Sequence, residues 1–313
     1  MGSNLAHRLV DLGAEILLVD SLIPEHGGNR FNISGIEDRV QVCSLDVRDD
    51  NFFPQLVQGQ DYLFNLAAQT SHLGSMRDPY TDLDINVRSQ ISILEACRHY
   101  NPHLKIVFAS TRQVYGKPDY LPVDERHPLH PVDVNGINKA SGEWYHLLYN
   151  SVYGIKTCIL RMTNTYGPRM RVKDASQNFL GIWIRLLVEG KPLEVWGGKQ
   201  KRDFTYVDDA VEAFLLAASN ANANGKVFNL GGDRAVSLKE LADLLIDING
   251  RGHYVIREFP QDRERIDIGD YYADYTRAQT VLRWEPKIPL RKGLACTLAY
   301  YKQHRDEYWK NSE

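Results

Sequence analysis

The first 167 residues alternate short β-branched, apolar runs with longer stretches of helical periodicity, and this rhythm narrows the fold more than any other feature. "AEILLVDS" (14–21), "VQVCSLDV" (40–47), "DYLFNLAA" (61–68), "LKIVFAST" (104–111) and "IKTCILRMTNTYG" (155–167) read as five strands. Segments 3–13, 81–100 and 135–153 between them read as helices. Strands joined through helices pair in parallel, and right-handed crossovers put helices on both faces. The expected class is therefore α/β, a Rossmann-like doubly wound parallel sheet. Beyond residue 167 the pattern is less regular and predicts a smaller α/β region. Helices are expected at 176–189, 207–219 and 237–250, with a strand returning at "KVFNLGG" (226–232). Ser237 and Glu240 form a capping-box signature for the last of these helices.

Composition removes several function classes. With 313 residues, 43% hydrophobic and 25% charged, the chain has the profile of a soluble globular protein. A net charge of -3 gives no global field for nucleic acid or an anionic membrane, so neither is expected as a partner. The basic run Lys199-Gln200-Lys201-Arg202 reads as a solvated loop. No apolar run approaches the ~18 residues that cross a bilayer. The N-terminus has no basic-then-apolar signal pattern, and "MGSNLA" has Ala6 where a myristoylation site wants Ser or Thr. Cys43, Cys97, Cys158 and Cys296 match no metal-ligand spacing, so no metal is expected and a reducing cytoplasm fits.

Several residues carry chemistry in this framework. In a dinucleotide fold a first strand and glycine-rich turn precede the first helix, and the turn holds the pyrophosphate on backbone N–H groups. Here only Gly2 could belong to that turn. A start placed about fifteen residues too late is the preferred explanation, a shortened protein the alternative. Such a strand is central, so its loss would leave two neighbours with unpaired edges. Asp20 ends the "ILLVD" strand, where a carboxylate accepts ribose hydroxyls and repels a 2′-phosphate, favouring NAD over NADP. Asp46 and Val47 follow the next strand and could flank the adenine. Thr111 closes its strand at the ligand-binding edge. Lys139 follows on the next helix, with Asn135 four residues earlier on the same face. At such a site a hydroxyl orients a sugar oxygen, a tyrosine exchanges its proton and a lysine lowers the phenol pKa. Asn135 stands where the tyrosine is wanted, and an amide cannot exchange a proton near neutral pH.

These residues bring a family into view. The chain resembles the extended short-chain dehydrogenase/reductase family, specifically NAD-dependent nucleotide-sugar epimerases and dehydratases of the UDP-glucose 4-epimerase kind. "GSNLAHRLVDLGAEILLVD", "LDVRD", "FNLAAQT", "INVRSQISILEACR", "FASTRQVYG", "LRMTNTYGPR", "GGKQKRDFTYVDDAVEAFLLA", "FNLGG" and "ADYTRAQTVLRWEPKIPLRKGL" follow one another in family order. The resemblance implies Gly2, Asp20, Asp46, Val47, Leu66, Ala67, Ala68 and Lys139 along NAD, and Thr111, Asn135 and Lys139 as the catalytic positions. It places His72 in the substrate loop, and Asn164, Arg202 and Arg265 at the substrate diphosphate. It implies residues 1–165 as the NAD-binding domain and 166–313 as mainly substrate-binding, with 203–232 returning to the first domain. Tyr115 and Tyr166 read as packing residues, and Asp133 as a helix cap.

Family dehydratases carry an Asp-Glu pair directly after the threonine, and decarboxylases a Glu at the second place. Arg112 and Gln113 stand there instead, which leaves an epimerase-like site without its usual proton carrier. The expected function is an NAD-dependent nucleotide-sugar epimerase working through a transient keto-sugar. A water on the lysine, or His72, could then move the proton. A binding or regulatory module without turnover is the alternative, and a non-redox lyase or isomerase a third. Relatives dimerise through the helices at 81–100 and 135–153. The apolar positions Ile91, Leu94, Ala96, Trp144, Leu147 and Leu148 suit that, or burial against the sheet.

Overall fold

The computed structural model describes residues 1–24, 27–173 and 179–309. Its strands in chain order are β1 (Leu17–Val19), β2 (Gln41–Cys43), β3 (Tyr62–Asn65), β4 (Lys105–Thr111), β5 (Lys156–Met162), β6 (Asn164–Tyr166), β7 (Leu193–Trp196), β8 (Lys201–Tyr206), β9 (Lys226–Asn229), β10 (Ala235–Ser237) and β11 (Tyr254–Arg257). Its helices are α1 (Gly2–Asp11), α2 (Phe53–Leu56), α3 (His72–Arg77), α4 (Pro79–Leu83), α5 (Ser89–Tyr100), α6 (Val134–Tyr153), α7 (Phe179–Val188), α8 (Val207–Ser219), α9 (Leu238–Asn249), α10 (Gln261–Glu264), α11 (Leu290–Gln303) and α12 (Arg305–Tyr308). A π-helical segment, Asp84–Arg88, joins α4 to α5. The start of the helix expected from residue 176 lies outside the described residues.

The main sheet has the order β3-β4-β5-β9, with every pair parallel. Its side chains alternate between two cores, as a strand's two-residue period requires. Val107 and Ala109 of β4 and Cys158 and Leu160 of β5 pack with Val211, Phe214 and Ala217 of α8. Ile106 joins Ile93, Leu94 and Cys97 of α5 on the other side. Each fully buried aliphatic side chain here contributes about 1.5–3 kcal/mol. Both faces are covered, which makes the architecture α/β with a parallel sheet.

The rhythm of the sequence suggests one continuous sheet, and the structure parts it. β1 pairs in parallel with β2 in a separate two-stranded leaf. Among the described residues no strand lies between this leaf and β3, so β1 and β3 each keep one bare edge. Leu17, Leu18 and Val19 and, opposite, Tyr62, Leu63 and Phe64 line one common cavity. Helix α1 spans this seam: Leu5 packs into the core of the main sheet, while Ala6 and Val10 pack against Ile16 and Leu18.

The stretch read as a fifth strand is two strands. After Met162 the chain leaves the main sheet. β6 pairs with β8 in a second sheet of order β10-β8-β6, and Thr163 Oγ1 lies 3.1 Å from Thr205 Oγ1 at the crossing. β7 and β11 form a further parallel pair. Around these, Leu180, Trp183 and Ile184 of α7, Leu241 and Leu245 of α9, and Leu294 and Leu298 of α11 make a separate core. Helix α9 starts with the expected capping box: Ser237 Oγ accepts from Glu240 N, and Glu240 Oε2 accepts from Ser237 N.

Candidate active site

The carboxyl ends of β1, β3 and β4 face β6 and β8 across a cavity of about 2370 Å3. That is more than twice the ~300–1,000 Å3 of an ordinary small-ligand pocket. Asp20, Asp46, Val47, Leu66, Ala67, Ala68, His72, Thr111, Asn135, Lys139, Asn164 and Arg202 all line it, as does Gly2. Arg265 does not: it is exposed at the end of α10, and Arg263, stacked 4.5 Å over the Trp196 ring, faces the cavity instead.

At the end of β4, Thr111 Oγ1 accepts a hydrogen bond from Gln113 N at 3.2 Å. Lys139 is buried on α6. Its Nζ donates to Ala109 O at 3.1 Å and lies 4.9 Å from the Phe108 ring centre. Burial lowers its pKa to about 8, with Asp82 and Glu143 pulling the other way. Asn135, one turn earlier, is also buried. Its Nδ2 donates to Gln69 O at 2.8 Å and to Asp82 Oδ2 at 3.1 Å, and its backbone N donates to Ser75 Oγ at 3.1 Å. Asn138 Nδ2 donates to the other oxygen of Asp82 at 2.8 Å. The amide of residue 135 thus has its protons engaged inward, and only its carbonyl oxygen is left to turn toward a ligand.

Asp133 caps α6, its Oδ1 accepting from Gly136 N at 2.7 Å. Its other oxygen accepts from Gln113 Nε2 at 2.8 Å and lies 2.9 Å from His72 Nδ1. Burial alone would raise this carboxyl's pKa, but His72, Gly136 and Gln113 together hold it below its ordinary value.

On the far side, Asn164 Nδ2 donates to Asp203 O at 3.0 Å. The Arg202 guanidinium is occupied by Asp267 at 3.1 Å and by Gly269 O. Arg112, directly after Thr111, lines the cavity, and burial followed by the nearness of Arg202 lowers its pKa to about 10. Tyr115 and Tyr166 are fully buried packing residues. Sequence reasoning passed over Arg263, the carboxylate of Asp82 and the second contact of Asp133. An acidic residue in the apolar phase of "YTDLDINV" is the one signal that could have marked Asp82.

The residues present fit a dinucleotide. Asp20 Oδ1 accepts from Leu22 N at 2.8 Å and shapes the loop after β1 at the cavity's edge. Asp46 is engaged by Arg48, so Asp20 is the freer of the two carboxylates. α1 has no side-chain cap and no acidic residue in its first turn, and the space beside Gly2 is open. Its N–H donors are therefore available to an anion where the helix meets the cavity.

Comparison with known proteins agrees with this geometry. A family model described as "NAD dependent epimerase/dehydratase family" matches residues 1–231. The chain belongs to that family. A Methanocaldococcus jannaschii protein assigned as a UDP-glucose 4-epimerase is 34% identical over 308 residues, covering 97% of this chain and 96% of that protein. The Thermotoga maritima UDP-glucose 4-epimerase, solved with UDP-glucose, is 29% identical with a TM-score of 0.87 over 97% of this chain and 96% of its own. The Bacillus cereus UDP-glucuronic acid 4-epimerase, solved with UDP-glucuronic acid and NAD, is 28% identical with a TM-score of 0.84 over 96% of each chain. The chain is thus an epimerase-like member of an NAD-dependent family, with a Rossmann-type fold and NAD as the family's cofactor. The alternative of a binding module without turnover is not favoured.

Proposed function

We propose that this chain interconverts epimers of a nucleotide-diphosphate sugar through a transient keto-sugar. The observation that carries the reading is the meeting of Thr111 and Lys139 with Asn164 and Arg202 across one cavity. Bound NAD supplies the hydride acceptor and donor. Thr111 Oγ1 orients the reacting sugar oxygen. The Lys139 ammonium stabilises negative charge on that oxygen and holds the nicotinamide ribose. Asn135 supplies an acceptor to the same cluster. Leu66, Ala67 and Ala68 form an apolar floor along the cofactor, with Gly2, Asp20, Asp46 and Val47 at its pyrophosphate and adenosine ends.

Asn164 and Arg202 face the substrate diphosphate in this reading, and Arg202 would have to exchange Asp267 for a phosphate. Arg265 could reach it only by moving inward, and Arg263 stands closer to that role. Residues 1–165 would then form the cofactor domain and 166–313 mainly the substrate domain, with 203–232 returning. Arg112 and Gln113 supply no acid or base for water loss or decarboxylation, which favours epimerisation over both. Uridine diphosphate sugars are the first to test, because the relatives above are defined by them.

We further assign a homodimer and a cytoplasmic location, in carbohydrate metabolism. Among the described residues no helix is long and apolar enough to cross a membrane, and all four cysteines are free. The α6 face carrying Ile137, Trp144, Leu148 and Val152 is exposed, an apolar stripe that a second copy would cover.

The test is the 260–340 nm absorbance of purified protein with NAD, before and after UDP-glucose or UDP-glucuronic acid, with chromatography of the sugars. A transient rise at 340 nm and appearance of the 4-epimer support the reading. Protein that binds neither NAD nor nucleotide sugar overturns it.

A further inference from the structure

A residue 135 that cannot carry a proton leaves the epimerase reading short of one group. We propose that His72, oriented by Asp133, is the proton carrier of this site, an inference that rests on that reading. His72 opens α3, directly after the loop that lines the cofactor side of the cavity. Its Nδ1 lies 2.9 Å from Asp133 Oδ2, and its side chain keeps about a third of its surface open to the cavity. Asp133 has no freedom to swing away: Gly136 N fixes one oxygen and Gln113 Nε2 the other. Nδ1 is not aligned for a hydrogen bond to that carboxylate in this conformation; a turn of the ring that aligns it would put the proton on Nδ1 and leave Nε2 as the base. α3 is also locked to residue 135, because Ser75 Oγ accepts from Asn135 N. The base therefore stands beside the place where the tyrosine is missing.

The step balances. Nε2 would take the proton of the sugar hydroxyl, and NAD, held by Lys139 and along Leu66, Ala67 and Ala68, would supply the acceptor for the hydride on the same carbon, so that C–O becomes C=O. Return of that hydride to the opposite face would restore the C–H bond, with Nε2 giving its proton back to the oxygen. Asp133 is a positioning residue in this scheme, since it acts only through the ring. Among charged groups on the elements packed against α3, Asp82 of α4 is held by Asn135 and Asn138, and Lys139 of α6 by Ala109 O. Arg77 of α3 itself is exposed, and Arg112 lines the same cavity. Asp133 is the charged group in contact with the ring.

The proposal is tested with His72→Gln and Asp133→Asn in the full chain with NAD and a nucleotide sugar. Asn caps a helix as well as Asp does, so Asp133→Asn removes the charge and keeps α6 started. His72→Gln is expected to lower kcat by ~10²–10⁴ with little change in KM. Asp133→Asn is expected to lower kcat with KM held, and to release the ring from its Nδ1-protonated tautomer. Independently of turnover, ¹⁵N NMR of the neutral His72 ring is expected to show a protonated Nδ1 and a bare Nε2. Wild-type kcat in His72→Gln, or a proton on Nε2 in the neutral ring, would overturn the dyad and leave the epimerase reading standing. A wild-type chain that binds NAD and the sugar yet never converts it overturns both.

Discussion

Lys139 is a buried ammonium with one hydrogen-bond acceptor, Ala109 O, and its depressed pKa carries a sign that can be checked. Unfolded, the group holds its proton up to about 10.4; folded, it releases it near 8. Below 8 both states are protonated and the folded state bears the full desolvation cost. Between 8 and 10 the unfolded state binds more protons, so this group makes stability rise with pH. Lys139→Met is therefore expected to be more stable than wild type to urea at pH 7, with the margin shrinking toward pH 10. The same variant is expected to lose turnover. In wild type, turnover is expected to decline above pH 8 as the ammonium is lost. Asn135→Tyr gives up two donated bonds and leaves Asp82 less satisfied, so it is expected to cost about 1–3 kcal/mol in urea titration. Thr111 and Lys139 were legible in the sequence because strand ends and helix phase follow from local periodicity. Arg265 was misplaced because the short α10 turn has no period that tells which arginine faces inward. Nor could local pattern show that Arg202 is tied to Asp267, a partner 65 residues away.

Helix α6 shows how one element serves three surfaces. Asp133 caps it, its first two turns supply Asn135 and Lys139 to the cavity, and its middle holds Glu143 against Arg161 of β5. The Arg161 Nε–Glu143 Oε1 distance is 2.9 Å, and Ser110 and Tyr115 join the same buried network. Removing one partner strands the other charge. Glu143→Gln and Arg161→Met are each expected to cost about 3–5 kcal/mol in chemical denaturation. The third surface is the exposed stripe, where Trp144 is 64% accessible. If the proposed dimer forms through this stripe, Trp144→Glu is expected to leave a monomer in analytical ultracentrifugation with an unchanged circular dichroism spectrum. Boundaries of α6 and α8 were legible within a residue or two because apolar phase marks both, with Asp133 capping α6 as well. The split of 155–167 into β5 and β6 was not, since both halves are apolar and extended and only their partners differ.

At the scale of the whole molecule, the sequence conveyed the α/β class and the parallel pairing, because alternation of strand and helix leaves few topologies. It also foretold two unpaired edges, but not how the leaf of β1 and β2 would be held. Side chains of α1 do that, and side-chain packing protects backbone amides less than a shared ladder. Hydrogen exchange at Leu17–Val19 and Gln41–Cys43 is expected to be orders of magnitude faster than at Ile106–Phe108. The residues proposed for the adenosine end follow the strands of the leaf and those proposed for the nicotinamide end belong to the main sheet and α6, so a dinucleotide held as proposed would bridge the two. NAD is accordingly expected to slow exchange in β1 and β2 and to raise Tm. A dinucleotide laid across both sheets would then act as a rivet, and in this chain limited proteolysis without NAD is expected to begin at the β1 and β2 leaf.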